Sequence, residues 1–346
     1  MLSTGLYLQT LDPATATQTT LLAIARHEQH IHAERIPEDP PLHQDAQLAT
    51  LRYGKNHIER RCFLLWDQDQ VVARAIMELP LEHNTQLAFV ELSVLPGYRR
   101  RHLGRFLMTQ IAAYAQQQGR RKLLTNASSR LPAGEMVLRH VGAQLTKEQQ
   151  FIQLDLSELE PDLLVRWMQA CETVDYGLWQ HLGPYPTDRL GQIALLRNLI
   201  HAAPTGEGEP QDWQMTPQAL QEEDELLVQS GKERLTTFVE HKASGQLVGL
   251  SELYWHPKRA TLLVQQATAV LPAHRGYSLG RWLKAANLHT VLAVNEQAHY
   301  VRAGNTPDNI GMLRINQAMG FKPWTIHTDW QLDTCVLADY LTKRKS

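Results

Sequence analysis

A mixed α/β fold, built twice in tandem, is what this sequence predicts, and three observations carry that expectation. A chain of 346 residues exceeds the size at which a single hydrophobic core keeps growing. One stretch is written twice: Val94-Leu95-Pro96-Gly97-Tyr98-Arg99-Arg100-Arg101-His102-Leu103-Gly104-Arg105-Phe106-Leu107 and Val270-Leu271-Pro272-Ala273-His274-Arg275-Gly276-Tyr277-Ser278-Leu279-Gly280-Arg281-Trp282-Leu283. Their Val, Pro, Arg, Gly and Leu recur at one offset of 176 residues (270 − 94). Strand patterns and helix patterns also interleave through both halves, the mark of mixed α/β domains. The halves are expected to be two related domains, 1–156 and 157–346.

In the first half, runs of apolar and β-branched residues predict strands near 5–10, 59–66, 70–79, 87–95, 122–126 and 149–156. Helices are expected near 17–35, 102–118 and 132–140. In the second of these, Leu103, Phe106, Leu107, Ile111, Tyr114 and Ala115 fall on one face. The second half repeats the order, with strands near 235–241, 246–255, 260–271, 299–304 and 326–332. Its helices are expected near 187–202, 279–293 and 308–318, and Leu279, Trp282, Leu283 and Ala286 form the equivalent face. Residues 157–161 read as the joint, and 203–210 as a Pro/Gly/acidic loop inside the second half.

Composition narrows the function. Lys plus Arg number 34 against 36 Asp plus Glu, a net charge of −2, which offers no global attraction for nucleic acid or an anionic membrane. No window approaches the ~20 apolar residues of a membrane span, and the N-terminus lacks a basic segment followed by an apolar run. Cys62, Cys171 and Cys335 form neither a disulfide framework nor a zinc spacing. A reduced, cytoplasmic protein, monomeric or homodimeric, is expected.

The duplicated stretch has a physical use. A strand that ends in Pro, an Arg-led turn and a Gly-entered helix present backbone N–H groups at the positive end of a helix dipole. Such a cradle suits a diphosphate, with Arg275 neutralising charge and Gly280 permitting close approach. The Val-x-Pro-x-x-Arg-x-x-x-Leu-Gly pattern of both halves resembles the GNAT acyltransferase superfamily. The run Gly304-Asn305-Thr306-Pro307-Asp308-Asn309-Ile310-Gly311-Met312-Leu313-Arg314-Ile315-Asn316-Gln317-Ala318-Met319-Gly320-Phe321 is similar to the ending of bacterial tandem GNAT proteins, including relatives of mycothiol synthase.

The resemblance implies two tandem GNAT acyl-CoA N-acyltransferase domains of mixed α/β sheet. Acetyl-CoA, or another acyl-CoA, would be the donor. Its diphosphate would meet Arg275, Gly276, Tyr277, Ser278, Leu279, Gly280 and Arg281, and its arm would run along the strand ending at Val270 beside Asn305, Asn309 and Met312. In the first half the matching positions are Val94, Arg99, Arg100, Arg101, His102, Leu103, Gly104 and Arg105. Each copy departs from the family where its first Gly would stand. Ser278 is small. His102 either crowds the diphosphate or, protonated, favours it.

Acyl transfer to an amine needs a base, donors for the developing oxyanion, and an acid for the departing thiolate. The family's usual Tyr acid falls at Asn316 and, in the first half, at Leu138, so neither copy has it. Glu252, and its counterpart Glu78 on the equivalent strand, are the candidate bases, with Glu91 behind them and Gln266 and Thr268 as polar neighbours in the second half. Asn316 can still donate a hydrogen bond. The second half is therefore the expected active domain. The first is a possible scaffold, substrate site or non-productive CoA site.

His27, His30 and His32 are expected to lie on a solvated helix face, and no metal site is expected. Arg99–Arg101 and Arg120–Lys122 lack interleaved aromatics, so no nucleic-acid partner is expected. Trp255 and Trp179 could line an acceptor pocket. The reading is acetyl transfer to a primary amine of a small molecule by direct attack in a ternary complex, without a cysteine intermediate. The alternatives are a catalytically inactive acyl-CoA-binding sensor or scaffold, and a transferase that uses aminoacyl-tRNA.

Overall fold

The computed structural model describes residues 5–54, 57–170, 174–201, 214–305 and 309–343. Cys171, the 203–210 stretch and Thr306–Asp308 lie outside them. In chain order the first half holds β1 (Leu6–Leu11), α1 (Gln18–Arg35), α2 (Gln44–Arg52), β2 (Ile58–Asp67), β3 (Gln70–Pro80), β4 (Leu87–Val94), α3 (Leu103–Gln117), β5 (Lys122–Ser128), α4 (Pro132–His140) and β6 (Gln144–Asp155). The second half holds α5 (Leu163–Gln169), β7 (Tyr176–Leu182), α6 (Leu190–His201), α7 (Pro217–Gln229), β8 (Glu233–His241), β9 (Gln246–Trp255), β10 (Leu262–Val270), α8 (Leu279–Val294), β11 (Tyr300–Asn305), α9 (Ile310–Ala318), β12 (Lys322–Asp333) and α10 (Thr334–Lys343). The α/β expectation holds, with α2, α5, β7, α7 and α10 beyond those read from the sequence.

Two compact units form. Among the described residues, one takes 5–148 and 326–343, and the other takes 149–201 and 214–325. The first unit's sheet runs β1-β2-β3-β4-β5 and continues with β12, whose His327–Asp333 pair antiparallel with Ser128–Lys122. The second unit's sheet runs β7-β8-β9-β10-β11 and continues with the end of β6, whose Asp155–Gln150 pair with Tyr300–Asn305. The last strand of each sequence half thus completes the sheet of the other.

In each unit the central strand leaves its parallel neighbour before reaching the helix that follows it. β4 pairs with β5 only over Leu87–Phe89 but continues to Val94. β10 pairs with β11 only over Leu262–Gln265 but continues to Val270. The parted strands leave a V-shaped opening that leads to the start of α3 or α8.

The helix faces follow their periodicity. Leu103, Leu107, Ile111 and Ala115 of α3 are buried against Ala75, Met77 and Leu123, and the same core takes Leu332, Leu337 and Leu341 from the chain's last strand and helix. In α8, Leu279, Trp282 and Leu283 pack with Val239, Val248 and Tyr176, while Leu288 and Val291 pack with Leu253, Leu263 and Val301. The Thr17 hydroxyl caps α1 and the Thr216 hydroxyl caps α7, each accepting a first-turn N–H.

The α1 histidines correct the sequence reading. His27 and His32 are buried rather than solvated. His27 bridges the Val71 carbonyl through Nδ1 and the Ser93 hydroxyl through Nε2, each at 2.8 Å. A histidine held this way is a neutral core group. Burial, with the Arg74 guanidinium nearby, brings its pKa down from 6.5 to about 4.

Two outcomes are expected. Leu337→Ala, distant in sequence from the 5–148 part of the first unit, lowers that unit's stability by about 2–5 kcal/mol in denaturant unfolding. Because His27 titrates lower folded than unfolded, stability is full above pH 6.5 and falls as pH drops toward 4, by about 3 kcal/mol at the limit. His27→Gln flattens that loss in pH-dependent melts.

Candidate functional site

The two duplicated stretches fold into strand–turn–helix junctions of the same element order. In the second unit a 3₁₀ turn at Pro272–His274 follows β10, and Arg275 is extended (φ −77°, ψ 160°). Gly276 has φ +90°, and Ser278 caps α8 in the left-handed conformation (φ 59°, ψ 12°). In the first unit Arg99 (φ −67°, ψ 163°), Arg100 (φ 60°) and His102 (φ 62°, ψ 11°) repeat the path. Each Arg donates Nε–H to the carbonyl at the end of its strand: Arg275 to Val270 at 3.1 Å and Arg99 to Val94 at 3.0 Å.

The left-handed cap turns the chain sharply into the helix, so the first N–H groups, which have no intrahelical acceptor, face the mouth of the V. A Cβ on Gly276 would meet nothing within 4 Å, and one on Gly280 would come within 3.3 Å of Ile315 Cδ1. The loop is open and the helix start is closely flanked by α9, which fits a diphosphate seated on backbone amides. Leu279 and Leu103 point into the cores and contribute only their backbones. Arg281 lies 5.6 Å from the Trp167 ring centroid and Arg101 5.1 Å from that of Tyr98.

The cradles differ in charge. The Arg99 guanidinium is gripped by both Glu34 oxygens at 2.6 and 2.5 Å. Arg105 is spent on the Leu341 carbonyl at 3.0 Å. Arg275 is exposed, and no ion pair joins it among the described residues. The cradle arginine of the second unit is thus exposed, and that of the first is held by a carboxylate. His102 lies exposed at its cap.

Deeper in the second unit, β10 bulges. Gln265 pairs with Leu253 and Thr268 with Ser251, so Gln266 and Ala267 together stand opposite Glu252. A bulge leaves one residue out of the ladder, and the exposed Gln266 sits there. In the first unit β4 pairs with β3 in unbroken register from Val94 to Phe89. Asn309 caps α9, its side-chain oxygen accepting the Met312 N–H at 3.2 Å. Asn305 ends β11, and its side chain lies outside what the structure describes.

Glu252 is fully buried, not at an open surface. The Tyr185 hydroxyl donates to one of its oxygens, and Arg197 Nη1 lies 3.4 Å from the other. Arg197 also reaches Glu223 at 3.2 Å. The Arg234 guanidinium lies 3.3 Å from the centroid of the Tyr185 ring and pairs with Asp224 at 2.7 Å. Burial raises the Glu252 pKa above the usual carboxylate value even against both arginines. Counting from the cradle, Gly249 pairs with Val270 and Ala73 with Val94, which puts Ile76 opposite Glu252 in the duplication and Tyr254 opposite Glu78. Glu252 and Glu78 share equivalent strands, two residues apart.

The first unit has an open cleft of about 480 Å³, lined by Glu78, Glu91, Asn126 and Asp329 with the rings of Phe89 and Trp330. The Arg74 guanidinium, 2.6 Å from Glu91, holds that carboxyl below its usual range. The tryptophans singled out as pocket walls are structural: Trp255 is buried in the core and Trp179 stacks on Phe238, centroids 4.4 Å apart.

Asn316 is buried on α9, and the buried Lys284 of α8 donates to its side-chain oxygen. The sequence reading passed over Lys284. Its signal was available in the duplication, where the matching residue is Met108.

Residues 26–142 match the acetyltransferase (GNAT) family. No curated protein matches the chain significantly. Among solved structures, the chain is similar to a tandem GNAT protein from the clavulanic acid biosynthesis pathway, with TM-score 0.80 and 22% identity over 95% of this chain and 98% of that one. It is also similar to a GCN5-related N-acetyltransferase from Sphaerobacter thermophilus (TM-score 0.64, 13% identity, 96% and 97% covered). At these identities the likeness is one of fold.

The Glu252 cluster yields a prediction. Glu252→Gln leaves Arg197 and Tyr185 buried beside a neutral amide, and breaking one side of a buried charged cluster costs about 3 kcal/mol. The second unit's unfolding midpoint falls accordingly in urea, while circular dichroism of the folded state stays unchanged.

Proposed function

We propose that this chain, a tandem GNAT fold whose residues 26–142 belong to the GNAT acetyltransferase family, is an acyl-CoA-dependent N-acyltransferase with its donor seated in the second unit. The observation that carries the reading is the Arg275–Gly280 cradle, with its left-handed Ser278 cap, open Gly276 and an exposed Arg275 that has no ion pair among the described residues. Acetyl-CoA is the donor we favour, and a primary amine on a small molecule the acceptor.

Backbone amides of 276–280 and the Arg275 side chain would hold the diphosphate. The opening between β10 and β11 would take the arm, with Met312 and the capped start of α9 alongside. A thioester, once bound, supplies an activated acyl carbon. The chain's part is to orient it and to donate hydrogen bonds to its carbonyl oxygen as charge develops there. The bulge at Gln266–Ala267 supports that role, because it frees backbone from the ladder within the V. The acceptor amine attacks directly, and the absence of Cys62 and Cys335 from either cradle agrees with a path that has no acyl-cysteine.

A second reading, an acyl-CoA-binding protein without turnover, draws on the fully enclosed Glu252 and on Asn316 standing where the family's acid would be. Calorimetry with acetyl-CoA separates these readings when paired with a thiol-release assay on glucosamine, spermidine and a tripeptide amine. Binding is expected for the wild type and for Gly104→Trp, and is lost by 10-fold or more in Gly280→Trp and Arg275→Glu. Thiol release with an amine selects the transferase. Binding without release for any amine selects the silent binder, and no binding by the wild type refutes both.

A further inference from the structure

One face of α8 differs in kind from its counterpart on α3. Gly280, Lys284 and Asn287 recur at spacings of four and three, so they line a single stripe. The stripe starts at the cradle. Its direction is fixed by two contacts: a Cβ on Gly280 would touch Ile315, and Lys284 reaches Asn316, both on α9. Lys284 therefore lies one helical turn, about 5.4 Å, inward from the cradle. Met312 and Asn316 form the facing stripe on α9, at the same four-residue spacing.

Lys284 is 2% exposed and Asn287 is fully buried. Both polar atoms of the Asn287 side chain lack a hydrogen-bond partner. Leaving such buried groups unsatisfied is unfavourable. The matching stripe of α3 is Gly104, Met108 and Ile111, and the position matching Asn316 is Leu138. The helix after the first cradle thus packs with apolar side chains, Met108 and Ile111, at the positions of Lys284 and Asn287, so packing of that helix does not require an amine.

Resting on the acyltransferase reading above, we propose that Lys284 is the proton donor to the sulfur that leaves the acyl group in the second unit. The acceptor nitrogen's electron pair forms the bond to the acyl carbon. The electron pair of the carbon–sulfur bond goes to sulfur, and Lys284 Nζ gives sulfur a proton. The acceptor nitrogen sheds one proton to solvent and Lys284 regains one, so the acyl group and one hydrogen are exchanged. Asn316 accepts from Nζ and holds it in place, and the Phe321 ring, 5.0 Å from Nζ, accommodates the cationic form.

Burial alone lowers the Lys284 pKa from 10.5 to about 7. Arg166 of α5, Glu233, Arg234, Glu240 and His241 of β8, Glu252 and Tyr254 of β9, Arg314 of α9, and Arg281 and His289 of α8 itself add nothing to that shift; β10 carries no titratable residue. A general acid works best when its pKa lies near the working pH.

The test uses the full chain, Lys284→Met, which fills the site with the first unit's own residue, and Lys284→Gln. With ¹³C-labelled lysine, one side-chain resonance is expected to titrate near pH 7 in the wild type and to be missing from both variants. Acetyl-CoA affinity by calorimetry stays within threefold, whereas kcat with hydroxylamine as the probe amine falls about 100-fold. The wild-type kcat falls as pH rises through about 7, as the ammonium is lost, and both variants lose that limb. If either variant binds acetyl-CoA and keeps both the wild-type kcat and its pH limb, the proposal is overturned and the acyltransferase reading survives. If the wild type binds acetyl-CoA but releases thiol with neither hydroxylamine nor glucosamine, spermidine or the tripeptide amine, the acyltransferase reading falls and this proposal with it.

Discussion

A residue forced into the left-handed conformation at the start of a helix sets the geometry of each unit. Ser278 and His102 both adopt φ near +60° without being glycine, a state that costs L-residues about 1–2 kcal/mol each. That turn lets α8 and α3 begin directly against the strand that precedes them and leaves the first helical N–H groups facing the parted strands. The Arg275–Val270 and Arg99–Val94 side-chain bonds fasten the other end of the same turn. Cradle, V-shaped opening and helix packing are consequences of this one junction.

The junction was legible in the sequence because it is local. Pro, Arg, Gly and Leu at fixed spacing specify turn and helix start without help from the rest of the chain. The helix faces were legible for the same reason, as Leu103, Leu107 and Ile111 show. Strand exchange was not. The patterns at 149–156 and 326–332 announce strands, but period-two alternation says nothing about which sheet receives them, and the structure joins each to the other half's unit. Edge strand β7 escaped notice because Gly177 and an unbroken run of half-buried positions leave it without alternation.

Candidate chemistry was harder to read than backbone. Glu252 was found as a strand carboxylate, yet its surroundings come from Tyr185 and Arg197, 67 and 55 positions away in sequence. No local pattern could announce that its two oxygens are taken. The α1 histidines erred in the same way: helical spacing placed them on a surface, and the partners that bury His27 are supplied by β3 and β4.

Duplication within one chain separates what the fold demands from what it permits. Features that both copies keep, the Pro turn, the Arg–carbonyl bond and the left-handed cap, belong to the junction. Features that differ carry no structural necessity, since the other copy stands without them. By that criterion the pairing of Arg99 with Glu34, which Arg275 does not repeat among the described residues, is one such difference. The polar stripe of α8 is a second. An amine and two amides at positions that Met108, Ile111 and Leu138 fill with hydrocarbon weaken the second unit's interior, because burying polar groups is unfavourable unless each is fully paired. A fold that tolerates the apolar version elsewhere in the same molecule has no packing reason to keep the polar one. The polar stripe starts at the cradle whose arginine has no ion pair among the described residues, so its reason is to be sought in chemistry at that end of α8 rather than in packing.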